Sequence, residues 1–170
     1  VDLAVADVVD AAGQVADPAP AVLSEKQATG EEPLPEYLAI SRTEEETGST
    51  LTDAIWAGFF TYAARVAGET GSAFLHSWVA FEVSLRNAVA EKRAETLGLN
   101  PADYRVVPER GGIDVSREIA RWAEAESRNP LDGQKALDTA RWEWLDENGR
   151  YFSFEDDEIA AYAARLTVAQ

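Results

Sequence analysis

Cysteine is absent from all 170 residues, methionine is absent too, and histidine occurs once, at His76. Without cysteine there is no disulfide framework, no thiolate metal site and no cysteine nucleophile, a composition that suits a reducing compartment. Basic residues are scarce: 15 Lys and Arg against 31 Asp and Glu leave a formal net charge of −16. Free nucleic acid is therefore not an expected partner, because binding it requires lysine and arginine to displace counterions from phosphates. Anionic membrane surfaces are disfavoured for the same reason, whereas a basic protein partner is permitted. Long apolar runs are also missing. No stretch approaches the ~18 residues needed to span a bilayer, and no basic-then-apolar signal opens the chain, so direct membrane insertion is not expected. The chain opens at Val1 and carries no methionine, which is the expectation for a piece of a longer protein.

What is present is enough for a core. At 46% hydrophobic the chain is too apolar to be disordered throughout. The acidity is uneven, −10 over residues 1–60 and −6 over 61–170. Positions 1, 5, 8, 9 and 12 are apolar, which predicts a short helix ended by Gly13. From there to Thr50 the pattern dissolves among Pro18, Pro20, Pro33, Pro35 and the triplet Glu44-Glu45-Glu46. Only Leu34, Tyr37, Leu38 and Ile40 suggest a docking turn. The expected organisation is a short helix plus an acidic, proline-containing loop over 1–49, followed by a helical domain over 50–170.

That second part reads as all-α. Leu51, Ile55, Trp56, Phe59, Tyr62, Ala63 and Val66 form an apolar stripe that stops near Gly68, with Ser49 or Thr50 placed to cap it. A long helix is predicted over roughly 72–97, because Phe74, Trp78, Phe81, Leu85 and Ala88 step by four, three, four and three. Leu97-Gly98-Leu99 closes it with glycine in the left-handed conformation. Asn100 to Asp103 is a turn and Tyr104 to Val107 a short extended piece. A third helix runs from Asp114 to about Ser127 with Val115, Ile119 and Trp122 on one side. Pro130 starts a fourth, with Leu137, Arg141, Trp144 and Leu145 as its stripe and Gly149 as its end. Ser153 and Asp156 resemble a capping box for a last helix, which Ile159, Tyr162, Ala163 and Leu166 carry onward.

Catalytic and cofactor motifs are eliminated one by one. No glycine-rich turn is followed by lysine and a hydroxyl residue, and no dinucleotide fingerprint is present. His76 sits three residues after Ala73, which removes the Glu-x-x-His pattern of di-iron bundles, and its expected role is structural or exposed. The paired carboxylates lie in loops or at a helix N-terminus, where solvation and capping explain them. No catalytic residue, cofactor or metal ligand is expected, and the chain reads as a non-enzyme.

What stands out instead is polar chemistry beside packed stripes. Glu82, Arg86, Asn87 and Arg93 flank the stripe of the long helix, with Glu82 and Arg86 an i,i+4 pair of opposite charge. An arginine beside a packed stripe needs a partner, so Arg86 and Arg93 are expected to be held by carboxylates, Glu82 among them. On that reading Arg93→Ala lowers the melting temperature by several degrees. Asn87 is expected to bridge to the backbone of a neighbouring helix. Arg141 lies in the stripe of the fourth helix. Trp142 and Trp144 flank Glu143 and cannot point the same way, so one of them is expected to meet a second surface, either another helix of this chain or a partner.

The pattern Glu82-x-Ser84-x-x-Asn87 followed by Arg93-Ala94 resembles the C subunits of V/A-type ATPases, and in particular a bacterial branch of that family often left as a domain of unknown function. Three blocks carry the likeness over residues 50–170: Phe74-Leu75-x-x-Trp78-x-x-Phe81-Glu82-x-x-Leu85-Arg86-Asn87, then Asn129-Pro130-Leu131 with Ala136-Leu137-Asp138-x-x-Arg141-Trp142, then Phe154 with Ile159-x-x-Tyr162-x-x-x-Leu166. Ser84 departs from it, standing where the wider family has aspartate. The resemblance implies a non-catalytic, helical, socket-like spacer that joins the central stalk of a rotary motor to its membrane ring in ion transport. Its implied partners are stalk and ring subunits, and its implied location is cytoplasmic, peripheral to the inner membrane. The alternative is a soluble acidic helical adapter or regulator that binds a basic partner.

Overall fold

The computed structural model describes residues 23–38, 51–107, 110–153 and 155–169. The helix expected over 1–12, the triplet 44–46, the proposed caps Ser49 and Thr50, and Phe154 lie outside them. The described residues form helices joined by turns, with no strand among them, so the protein is all-α as its periodicity predicts. The chain divides into two units, Val1–Pro35 and Glu36–Gln170.

In the first unit the described element is α1 (Glu25–Thr29). Its signal was present in a stretch read as loop. Ser24 and Gln27 form a reciprocal capping box, with the Gln27 N–H donating to Ser24 Oγ at 3.1 Å and the Ser24 N–H to Gln27 Oε1 at 3.0 Å. This pairing satisfies two donors that a helix start otherwise leaves to water. None of its residues is buried.

The second unit is built on α3 (Ala73–Thr96), against which α2 (Leu51–Thr70), α4 (Ser116–Arg128) and α6 (Asp156–Val168) all pack, while α5 (Pro130–Asn148) packs on α4 and α6. A single stripe was expected on the long helix. The structure buries more, because neighbours approach from several sides. Phe81, Leu85 and Val89 pack with Val115, Trp122 and Leu137. Val79 and Val83 join Phe60 and Val106. Phe74 joins Leu145 and Ala161. A helix that is apolar on more than one face belongs in the middle of a fold. Leu85 and Leu145 are fully inaccessible, where truncation to alanine typically costs about 2–5 kcal/mol.

The ends of α3 follow from local chemistry. Ser72 caps its start, accepting from the Leu75 N–H at 3.0 Å. At its other end Gly98 has φ +69°, its N–H donates to the Glu95 carbonyl at 3.1 Å, and the Leu99 N–H donates to that of Ala94 at 2.9 Å. That pair of bonds closes otherwise orphaned carbonyls and requires a left-handed residue, which glycine adopts without strain.

Two expected boundaries shift. α2 runs through Gly68 to Thr70 and turns at Gly71 (φ +67°). Among its described side chains Phe60 and Ala67 are buried, while Phe59, a member of the expected stripe, is half-exposed and sits edge-on to Tyr37. Tyr37, in a short 3-10 turn over Glu36–Leu38, also contacts Tyr62, so this part of the suggested docking turn packs on α2, while Leu34 is exposed and Ile40 lies outside the described residues. The other shift is at α6, where Glu155 rather than Ser153 occupies the cap position and makes no side-chain cap bond. Ser153 Oγ instead donates to Glu158 at 3.3 Å.

α4 and α5 form a tight hairpin joined by Asn129, whose side chain accepts from the Leu131 N–H at 3.0 Å. Their close crossing depends on Gly133: a Cβ there would lie 3.1 Å from Glu126 Cα and 2.0 Å from its carboxylate. Just before α4, Asp114 accepts the Ser116 O–H at 2.6 Å and its N–H at 3.0 Å, and those bonds hold its carboxyl below the ordinary carboxylate range.

Candidate functional site

The candidate residues of the long helix fall into two constellations. In the first, α3 presents Glu82 to α5, which presents Arg141. Arg141 Nε donates to Glu82 Oε1 at 2.8 Å and Nη2 to Oε2 at 3.3 Å, a two-pronged pair that suits the planar guanidinium. Its Nη1 donates to Asp138 Oδ1 at 3.2 Å. The Arg141 and Glu82 side chains are only 23% and 16% exposed. Burial pulls the Arg141 pKa down, but the Glu82 and Asp138 carboxylates outweigh it and the net shift is upward.

Glu82 was expected to hold Arg86, and that expectation is corrected. With Glu82 drawn to Arg141, the Arg86 guanidinium lies over the Trp56 ring, 4.3 Å from its centroid. Burial lowers its pKa, opposed by the charges of Asp53 and Glu82. Arg93 does meet a carboxylate, Glu126 of α4 at 3.0 Å, and lies 5.4 Å from the Trp122 ring. Its side chain is 57% exposed, which makes this a surface pair.

The second constellation pins a loop to α3. Asn87 is buried, and it does bridge to backbone, though to a loop instead of a helix. Its Nδ2 donates to the Val106 carbonyl at 3.0 Å, and its Oδ1 accepts the Val106 N–H at 2.8 Å. One turn earlier, Ser84 Oγ donates to the Ala80 carbonyl at 2.8 Å and accepts the N–H groups of Gly112 and Ile113, each at 3.1 Å. These two side chains supply the partners that the irregular segment lacks, as buried backbone polar groups require. A cleft of about 450 Å³ lies beside them, and Glu91 and Arg105, which line it, pair with each other.

The tryptophans separate as their spacing predicts. Trp144 stacks on Phe81 with ring centres 5.1 Å apart and touches Trp78 and Phe74. Trp142 points away and is 36% exposed. His76 is exposed. Among the described residues no group of three or more His, Asp or Glu side chains is placed to hold a metal ion.

Three working residues escaped the sequence reading. Asp157 accepts the Ser72 hydroxyl and the Phe74 N–H (3.4 Å), so a carboxylate on α6 completes the N-terminus of α3. Arg165 Nη2 donates to the Leu145 carbonyl at 2.8 Å, closing the end of α5, and stacks over Tyr151. Ser84 is the third. Asp157 and Arg165 had no local signal, because their partners lie 85 and 20 residues away. Ser84 and Asn87, three apart among apolar neighbours, were a readable hint.

A family model for a protein of unknown function, DUF2764, matches residues 21–170. No curated protein and no solved structure matches the chain. The resemblance to V/A-type ATPase C subunits is thereby corrected: the family found is DUF2764, and nothing links the chain to those subunits. The structure supplies the physical reason that the pattern misled. Glu82, Ser84, Asn87 and Arg93 are where they are because they bind Arg141, a loop and α4 within this fold, a need that any packed helix of this kind would share.

Proposed function

We propose that this chain, which belongs to the DUF2764 family of proteins of unknown function, is a non-catalytic helical scaffold that works by holding partner proteins. One observation carries the reading. The polar side chains singled out beside the core serve the fold itself: Glu82 and Asp138 hold Arg141, Asn87 holds Val106, and Ser84 holds Gly112 and Ile113. Catalysis requires the opposite arrangement, with an acid, a base or a nucleophile facing a space that admits substrate. A helical fold with a net charge of −16 suits protein recognition, in which complementary charge speeds encounter and selects partners.

The assembly in question is identified by native co-purification of the tagged, full-length protein from its own cells, with the recovered proteins identified by mass. A stalk-to-ring spacer of a rotary ATPase predicts recovery of stalk and membrane-ring subunits. An acidic adapter predicts a basic partner that is released by salt. A protein that stays monomeric in the native extract and turns over a small-molecule substrate overturns the scaffold reading.

A further inference from the structure

The face of α6 does not follow its sequence pattern. Ile159, Tyr162 and Leu166 recur at helical spacing, as core residues do, and were expected to carry the last helix. The fold buries the other face instead: Ala161 is inaccessible, with Ala160, Ala164 and Val168 packed beside it. Ile159, Tyr162 and Leu166 are left 69%, 61% and 50% exposed. Single exposed apolar residues are ordinary, but a continuous stripe marks an interaction surface.

A second observation points to the same end of the fold. Phe152, just before α6, is 85% exposed and has φ +57°, a backbone conformation strained for a bulky side chain. The Glu158 carboxylate holds it there, accepting the Phe152 N–H at 2.6 Å. The ring is thus held exposed in a backbone conformation that bulky residues rarely adopt.

The charge around the stripe selects its occupant. Residues 146–170 contain six acidic and two basic side chains, of which Asp146, Asp157 and Glu158 accept hydrogen bonds from Tyr151, Ser72 and Phe152 within the fold. Arg150 is paired with Glu155 at 2.7 Å, and Arg165 is turned inward to the Leu145 carbonyl. Glu147 and Asp156 have no partner among the described residues, and Asp156 and Glu155 stand exposed at the start of the stripe. We infer that this face of α6 docks a basic amphipathic helix of a partner protein. Its apolar residues would lie along Ile159, Tyr162 and Leu166, and its lysines or arginines would meet the exposed Asp156, with Glu155 beside it shared with Arg150. Three anchors at i, i+3 and i+7 are the footprint of helix-on-helix recognition, and the acidic flank disfavours an acidic partner or an anionic membrane. The inference rests on the scaffold reading and names the partner's chemistry.

The probe is a fluorescein-labelled Leu/Lys peptide of about 18 residues with leucines at helical spacing, titrated against the full-length chain by anisotropy. Saturable binding is expected, weakened at least about tenfold by Ile159→Glu with Leu166→Glu. Asp156→Asn with Glu155→Gln should flatten its salt dependence, and Leu131→Glu, at an exposed apolar residue on α5, should leave binding unchanged. These side chains are exposed, so circular dichroism should show each variant folded. Equal binding by the same peptide with glutamate for lysine, or undiminished binding by the stripe variant, overturns the inference. A concentration-dependent dimer abolished by Ile159→Glu overturns it in favour of a second copy. Loss of peptide binding with native co-purification intact sinks this surface and leaves the scaffold reading standing.

Discussion

At the residue scale, burial decides which of several similar charges matters. The sequence singled out Arg86, Arg93 and Arg141 alike, but their side chains end in different places: over a ring, on the surface, and between two carboxylates. Arg93→Ala removes an exposed pair, worth about 0–1 kcal/mol. Arg141→Ala leaves Glu82 largely buried without its counter-charge, which should cost about 2–3 kcal/mol after allowing for its remaining exposure. Urea denaturation of the two variants should therefore rank Arg141→Ala well below Arg93→Ala, the reverse of the weight first placed on Arg93. Equal midpoints would contradict the geometry. Asn87 is the other test. Asn87→Ala strands both the N–H and the carbonyl of Val106 and should cost about 2–4 kcal/mol, since each unsatisfied buried group costs about 1–3 kcal/mol. Hydrogen exchange should show the Val106 amide of the loop losing protection before the amides of α3 do. The need of Asn87 for a backbone partner was legible, because a buried amide must be satisfied. Which backbone met it was not, since nothing local to Asn87 indicates that residue 106 arrives beside it.

At the element scale, periodicity and some boundaries were legible, while the end of α2, the cap of α6 and the buried faces were not. The Gly98 terminator of α3 and the proline that opens α5 are short-range chemistry, and each sits at its expected position. Which side of α2 and α6 turned inward depended on neighbours. Both helices carry apolar residues on more than one face, so periodicity alone did not choose between Phe59 and Phe60, or between Ile159 and Ala161. Glycines show the same dependence on surroundings. Gly68 and Gly133 both lie inside helices, where alanine is intrinsically preferred by about 1 kcal/mol. Nothing lies within 4 Å of a Cβ added at Gly68, whereas one at Gly133 meets Glu126 of α4. Gly68→Ala should therefore stabilise by about 0.4–1 kcal/mol. Gly133→Ala should destabilise by about 1–2 kcal/mol by overpacking the α4–α5 crossing and displacing the carboxylate that Arg93 uses. Thermal melts that moved in the same direction for both would refute this account.

At the scale of the whole molecule, all three core clusters lie within 36–170, and the described helix of the first unit buries nothing. A chain restricted to 36–170 should melt within about 2 °C of the full sequence, a difference of a few tenths of a kcal/mol for a domain of this size. A drop of ten degrees or more would show that the first unit contributes to the core. The sequence by itself determined the helical class, the places of the Gly98 and Pro130 boundaries, and the acidic character of the chain. These follow from composition and from interactions within a few residues along the chain. Only the tertiary structure decided that Glu82 meets Arg141, that Asp157 completes the start of α3, and that α6 leaves Ile159, Tyr162 and Leu166 in water. Those outcomes join residues tens of positions apart, and they depend on which faces the packed helices cover.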